Sequence, residues 1–192
     1  MTNPESLIAD LRKQVETVDG SGFFTTQPKP VRQAINRLMH QLSRGSKSEK
    51  QLRDYLIKRE TEVEAIESAI ETVRGYGLID DLALAQNIVR VKSEVMRLSK
   101  SKIRSVLQTK GIPQNIIAEV LSKLDPELEI LAAQQLASSR AKKLAGLERQ
   151  AALRRLVGFL QRRGYSASVS FTVARNALES AVKLPSNDEP NL

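Results

Sequence analysis

The sequence predicts an all-α chain: tandem repeats of three-helix units stacked into an elongated, curved molecule. Three observations carry this. Most of the 192 residues are Leu, Ala, Ile, Val, Lys, Arg, Glu or Gln, a mixture that favours helices. Aromatic residues make up only 4%, with no Trp, which argues against sandwiches, barrels and base-stacking platforms. One helical pattern also recurs three times, at offsets of 51 and 53 residues.

The recurring segments are Leu52-Arg-Asp-Tyr-Leu56-Ile-Lys-Arg59-Glu-Thr61, Ile103-Arg-Ser-Val-Leu107-Gln-Thr-Lys110-Gly-Ile112 and Leu156-Val-Gly-Phe-Leu160-Gln-Arg-Arg163-Gly-Tyr165. Each sets apolar residues four apart, a base three positions on, then a turn. Gly111 and Gly164 suit a left-handed cap at a helix C-terminus. Past the turn, Ala65, Ala69, Ile70 and Val73 align with Ile116, Val120, Leu121 and Leu124, and with Val169, Val173, Ala174 and Ala177. Those spacings put one apolar stripe on a following helix.

A helix also precedes each segment. Its expected stripes are Val31, Ala34, Ile35, Leu38, Met39 and Leu42; then Leu84, Ala85, Ile88, Val91 and Val95; then Leu128, Leu131, Ala132, Gln135 and Leu136. The resulting division is residues 31–81, 82–124 and 125–182 as three units, in which neighbours bury each other's apolar faces. Residues 1–30 read as a peripheral extension, with a short amphipathic helix through Leu7, Leu11, Val15 and Val18 and a linker at Gln27-Pro28-Lys29-Pro30. Residues 183–192 read as a frayed tail. Ser48 with Gln51 makes a capping box, Ser99 stands at the equivalent place, and Asp80 or Asp81 caps the helix near Leu82.

Several function classes are disfavoured. Without Cys there is no disulfide framework, thiol nucleophile or Cys-based zinc site. No apolar run approaches the roughly 18 residues of a membrane span, and Leu7-Ile8-Ala9 runs straight into Asp10, unlike a secretory leader. A cytoplasmic protein is expected. Asp80-Asp81 has no His or further carboxylate beside it, so capping is the expected role. Glu60, Glu62, Glu64, Glu67 and Glu71 read as a solvated acidic face, and His40 as a surface or boundary residue. With no nucleophile–base motif and no Gly-rich phosphate loop, neither catalysis nor a cofactor or metal is expected.

Charge is polarised along the chain. The net charge is +8, yet residues 43–81 hold 7 Lys/Arg against 9 Asp/Glu, residues 82–124 hold 8 against 2, and residues 125–181 hold 9 against 5. Excess cations in the last two units suit phosphate or an acidic protein surface. The candidates are Arg90, Lys92, Arg97, Lys100, Lys102, Arg104 and Lys110 in one cluster, and Arg140, Lys142, Lys143, Arg149, Arg154, Arg155, Arg162 and Arg163 in the other.

The ordered motifs resemble the RecX family of recombinase regulators. They are Arg44, Ser48-Glu49-Lys50-Gln51-Leu52, Gly77-Leu78-Ile79-Asp80-Asp81, Lys102-Ile103 through Lys110-Gly111-Ile112, and Arg162-Arg163-Gly164-Tyr165. The match spans roughly residues 31–180. Two departures stand out: Leu84 where the family often has Phe, and Met96-Arg97-Leu98 where it often has a Gly-rich turn. The resemblance implies a protein that binds the RecA–single-stranded-DNA filament and restrains its strand exchange, ATPase and coprotease activities; a monomer is expected. It also implies contact with single-stranded DNA, or with duplex independently of sequence. Two other readings fit the residues themselves. One is a helix-turn-helix DNA binder using Ile103–Leu107, Gly111 and the next helix, although that helix offers few bases. The other is a helical scaffold that binds only protein.

Overall fold

A computed structural model describes residues 27–144 and 146–183, and every regular element among them is helical. The helices are α1 (Lys29–Leu42), α2 (Glu49–Ile57), α3 (Val63–Gly75), α4 (Asp81–Arg90), α5 (Lys100–Thr109), α6 (Gln114–Ser122), α7 (Pro126–Lys142), α8 (Arg149–Arg162) and α9 (Ala167–Lys183). A π-helical segment, Val91–Val95, continues α4. The expected N-terminal helix at Leu7–Val18 lies outside the described residues. The expected linker gives way at Lys29, because Pro30 sits in the first turn of α1, where its missing N–H has no helical partner to lose.

The chain condenses into two compact units. Among the described residues, one comprises those up to Ala85 together with Gln108–Ile116; the other comprises Gln86–Leu107 and those from Ile117 on. In the first, α1, α2 and α3 enclose Ile35, Leu38, Leu52, Leu56, Ile70 and Val73, each almost wholly buried. The α1 stripe runs as the 3.6-residue period demands, with Met39 at its edge. At the start of α2, Ser48 Oγ accepts the Gln51 N–H (3.2 Å) and Gln51 Oε1 accepts the Ser48 N–H (3.2 Å), completing the capping box. Asp80 caps α4 through the Ala83 N–H (2.8 Å). Asp81 turns instead to α2, where its Oδ1 accepts the Glu49 N–H (3.0 Å). Burial raises the Asp81 pKa above the usual carboxylate value despite that hydrogen bond.

Glu49 anchors a small ionic network at the same helix end. Its carboxylate takes Arg53 (3.1 Å) and Arg74, while Arg53 also reaches Glu67. Burial works against the charge on Glu49, but the two guanidinium hydrogen bonds outweigh it and hold its pKa below the ordinary value.

In the second unit, α7, α8 and α9 enclose Ala133, Ala137, Ala141, Leu156, Leu160, Tyr165 and Ala174. Ile103, Leu107, Ile117, Val120 and Leu121 are also buried there. Two expected stripes need correction. Leu128 and Leu131 are 62% and 45% exposed, and Gln135 is exposed as well. The buried face of α7 is instead Ala133, Ala137 and Ala141, whose small side chains let α9 lie close against it. In the α4 extension, Val95 is 72% exposed and Val89 is buried. The cause is the π turn: Met96 N–H bonds to Val91 O (3.1 Å), and the wider winding rotates Val95 off the core face.

A left-handed Arg97 (φ 49°) follows that turn, at the place where glycine is the easier residue. Two groups near the end of α8 hold it. The Tyr165 hydroxyl donates to the Arg97 carbonyl (2.9 Å), and the Arg163 guanidinium donates to the Met96 carbonyl. Burial first, and Glu129 second, push the Tyr165 pKa up to about 12. A raised pKa in a group that ionises to an anion means stability present below the unfolded value of about 10 and lost as pH climbs towards 12. Tyr165→Phe is expected to cost about 1–2 kcal/mol near neutrality through the unpaired carbonyl. It is also expected to remove part of the alkaline loss of stability; denaturation curves between pH about 9 and 12 that match the parent in shape would refute this.

The two glycine turns share one construction. Gly111 (φ +75°) and Gly164 (φ +92°) are both left-handed, and each presses against the start of an earlier repeat's second helix. Buried Ser48 donates its hydroxyl to the Lys110 carbonyl, and buried Ser99 donates its N–H to the Arg163 carbonyl (3.0 Å). Ser99 Oγ in turn accepts the Lys102 N–H (3.2 Å), so each serine both starts a helix and grips the next repeat's turn. At the matching place in the first repeat stands Glu60, left-handed at φ 53° without being glycine.

Candidate nucleic-acid interface

The expected cations divide by what they already do. In the first cluster, Arg90 donates to Asn87 Oδ1 (3.0 Å) and Lys92 lies against the Met96 sulfur. Arg97 is half-buried in the strained turn, while Lys102 and Arg104 are exposed on α5. Lys100 starts α5 with its N–H on Glu129 Oε1 (3.1 Å). Lys110 belongs to the other compact unit and lends its carbonyl to Ser48. A groove of about 460 Å³ beside this cluster is lined by Leu98, Leu124, Leu128 and Leu131, with Lys100 and Lys123 matched by the carboxylates of Glu94, Asp125 and Glu129.

The second cluster lies wholly within the second unit. Arg149 is paired with Glu179 (3.1 Å), and Lys142 and Lys143 are exposed at the end of α7. Arg163 is occupied with Met96 and also lies over the Phe159 ring (5.0 Å). The remaining four are brought together. Arg140 from α7 and Arg154, Arg155 and Arg162 from α8 line a pocket of about 260 Å³ with Leu144, Gly158 and Phe159. Arg140 lies over the same Phe159 ring at 5.5 Å. Spacing along α8 puts Arg155 and Arg162 on one face, but nothing in the sequence shows that Arg140 joins them across helices, or that Phe159 sits between guanidiniums.

The other marked residues have structural tasks or none. Asp80 and Asp81 cap helices, and Glu67 pairs with Arg53; Glu60, Glu62, Glu64 and Glu71 are exposed, as is His40. Among the described residues no group of three or more His, Asp or Glu side chains is placed to hold a metal ion, and no helix is long and apolar enough to cross a membrane. The helix after Gly111 exposes Gln114, Asn115, Ala118 and Glu119 and carries no base, which leaves a helix-turn-helix reader without base-contacting cations.

Comparison with known proteins agrees with the repeat. Family models for the first, second and third RecX three-helix domains match residues 34–72, 80–121 and 127–173 in turn. The regulatory protein RecX of Streptomyces lividans is 36% identical over 150 residues, spanning 78% of this chain and 80% of its own length. That of Thermobifida fusca is 30% identical over 151 residues, spanning 77% and 82%. A crystal structure of RecX from Lactobacillus salivarius superposes with a TM-score of 0.65 at 20% identity, covering 79% of this chain and 97% of that one. With an all-α architecture of three tandem three-helix domains and these matches, the chain belongs to the RecX family of regulatory proteins.

Proposed function

We propose that this protein is a non-enzymatic, cytoplasmic regulator, chiefly an inhibitor, of the RecA recombinase, and that it acts by binding the RecA–single-stranded-DNA filament. The observation that carries the reading is the succession of three RecX domains along most of the described chain. The working parts are residues 31–81, 82–124 and 125–182, with the cations concentrated in the last two. A filament exposes both protein and phosphate, so a protein whose bases cluster beyond its first domain has chemistry to offer both.

Adding the protein to RecA, ATP and single-stranded DNA is expected to slow ATP hydrolysis and shorten the filaments. Unchanged hydrolysis and filament length at several-fold excess would remove the reading. Direct binding to a single strand is expected to weaken steeply with salt: for about four phosphates neutralised, log K falls against log salt with a slope near −3. A flat response would remove phosphate contact from the mechanism.

A further inference from the structure

We propose that the pocket formed by Arg140, Arg154, Arg155 and Arg162 around Gly158 is a subsite for the phosphodiester backbone of single-stranded nucleic acid. The proposal deepens the filament-binding reading and rests on it.

Charge is the first reason. Four arginines line about 260 Å³, and among the described residues no carboxylate lies within ion-pair distance of any of them. Exposed Glu148 interacts with Arg154, but its carboxylate is committed first to the Gln150 and Ala151 N–H groups. Like charges around one pocket repel, and an anion bound among them offsets that repulsion. The second reason is shape and chemistry. Every cation at the pocket is Arg rather than Lys, and the planar fork of Arg matches two phosphate oxygens at once. The volume falls below the roughly 300–1,000 Å³ of small-molecule sites, so it suits one phosphate with its sugar rather than a free metabolite. Leu144 and Phe159 offer the sugar an apolar floor.

Phe159 has a different task from that of a base-stacking platform. Arg140 and Arg163 lie over its ring at 5.5 and 5.0 Å, so it orients guanidiniums rather than bases. The site therefore reads backbone, not sequence. Gly158 is the third reason. It stands inside α8, where Ala would be the better helix former, and an added Cβ would meet only the Arg162 guanidinium, at 3.3 Å. Packing does not require glycine there. Its effect is to keep the pocket open.

The test uses the full chain and a fluorescent oligothymidylate strand, with anisotropy read across a salt series. Arg155→Gln with Arg162→Gln is expected to weaken binding at least tenfold at about 0.1 M salt and to flatten the salt slope by about 1.4. Gly158→Leu fills the pocket without removing any charge. It is expected to weaken binding several-fold with the slope unchanged and the thermal midpoint not lowered. Lys58→Gln with Arg175→Gln, two exposed cations elsewhere, removes the same charge and is expected to stay within twofold of the parent.

The pocket proposal is overturned if the double arginine variant binds like that comparison pair. It is also overturned if a duplex of equal length binds the parent as tightly as the strand and loses as much in the variants. Displacement of a polyglutamate peptide, rather than the strand, by the same substitutions would assign the pocket to acidic protein and overturn it too. ATP hydrolysis by the filament separates this proposal from the broader one. Restraint that persists in a parent that binds no strand leaves the regulator standing and removes the pocket, whereas loss of both strand binding and restraint in the arginine variant supports both.

Discussion

Gly164→Ala is expected to destabilise the protein by about 4 kcal/mol, through two costs that add. At φ +92° an L-residue pays roughly 1–2 kcal/mol for left-handed backbone. The new methyl would also fall under 3.0 Å from Ser99 Oγ and Lys102 Cβ, and 3.1 Å from the Lys102 backbone nitrogen, an overpacking of about 1–3 kcal/mol. Because one of those atoms is backbone at the start of α5, the strain cannot be relieved by a rotamer change. Gly111→Ala meets only the Lys50 side chain, although its Cβ is among the atoms crowded, and should cost less. Glu60→Gly is the reverse case: it relieves left-handed strain, and the gain is partly offset by unfolded-chain entropy, so stability should stay level or rise by up to about 1 kcal/mol. Thermal unfolding measures all three. A Gly164→Ala midpoint within a few degrees of the parent, where roughly a 10 °C fall is expected, would contradict the joint described above.

The second large effect runs against simple hydrophobicity. Ala137→Leu adds apolar surface to a buried helix face and is nevertheless expected to destabilise by about 3 kcal/mol. Ala137 is fully buried between Ala133 and Ala141 on the side of α7 that α9 covers, and the extra carbons can be accommodated only by prising the two helices apart. Leu131→Ala, on the exposed side of the same helix, is expected to change stability by less than about 0.5 kcal/mol. Denaturant midpoints decide it. If Leu131→Ala proved the more damaging, the leucine face rather than the alanine face would be the packed one.

These two helices also mark how far the sequence could be read. Turn glycines and the capping box were legible at Ser48, Gly111 and Gly164, because backbone chemistry there is local. So were the α1 and α3 stripes, where large apolar residues keep helical period on a single face. On α7 the same reasoning chose the larger residues, and the fold chose the smaller ones, since close approach by α9 outweighs the area that Leu128 and Leu131 would bury. Periodicity weighs hydrophobicity, not the distance to a neighbour. Val95 was misplaced for another reason: a single π turn rotates everything after it, and no residue type announces one. The cations were visible as a cluster, but the pocket was not. Arg140 meets Arg154, Arg155 and Arg162 only through the packing of α7 on α8.

The serine–glycine joint has a consequence for how such a chain can be extended. It has a giving half, the helix-starting serine, and a receiving half, the turn glycine of the following repeat. The first domain holds only the giving half, Ser48, with Glu60 at its own turn. The third holds only the receiving half, Gly164; Ala152 stands where the serine would be, inside a helix that starts a turn earlier. The middle domain alone holds both, Ser99 and Gly111. It is therefore the one piece whose in-frame duplication would preserve matching ends at every seam.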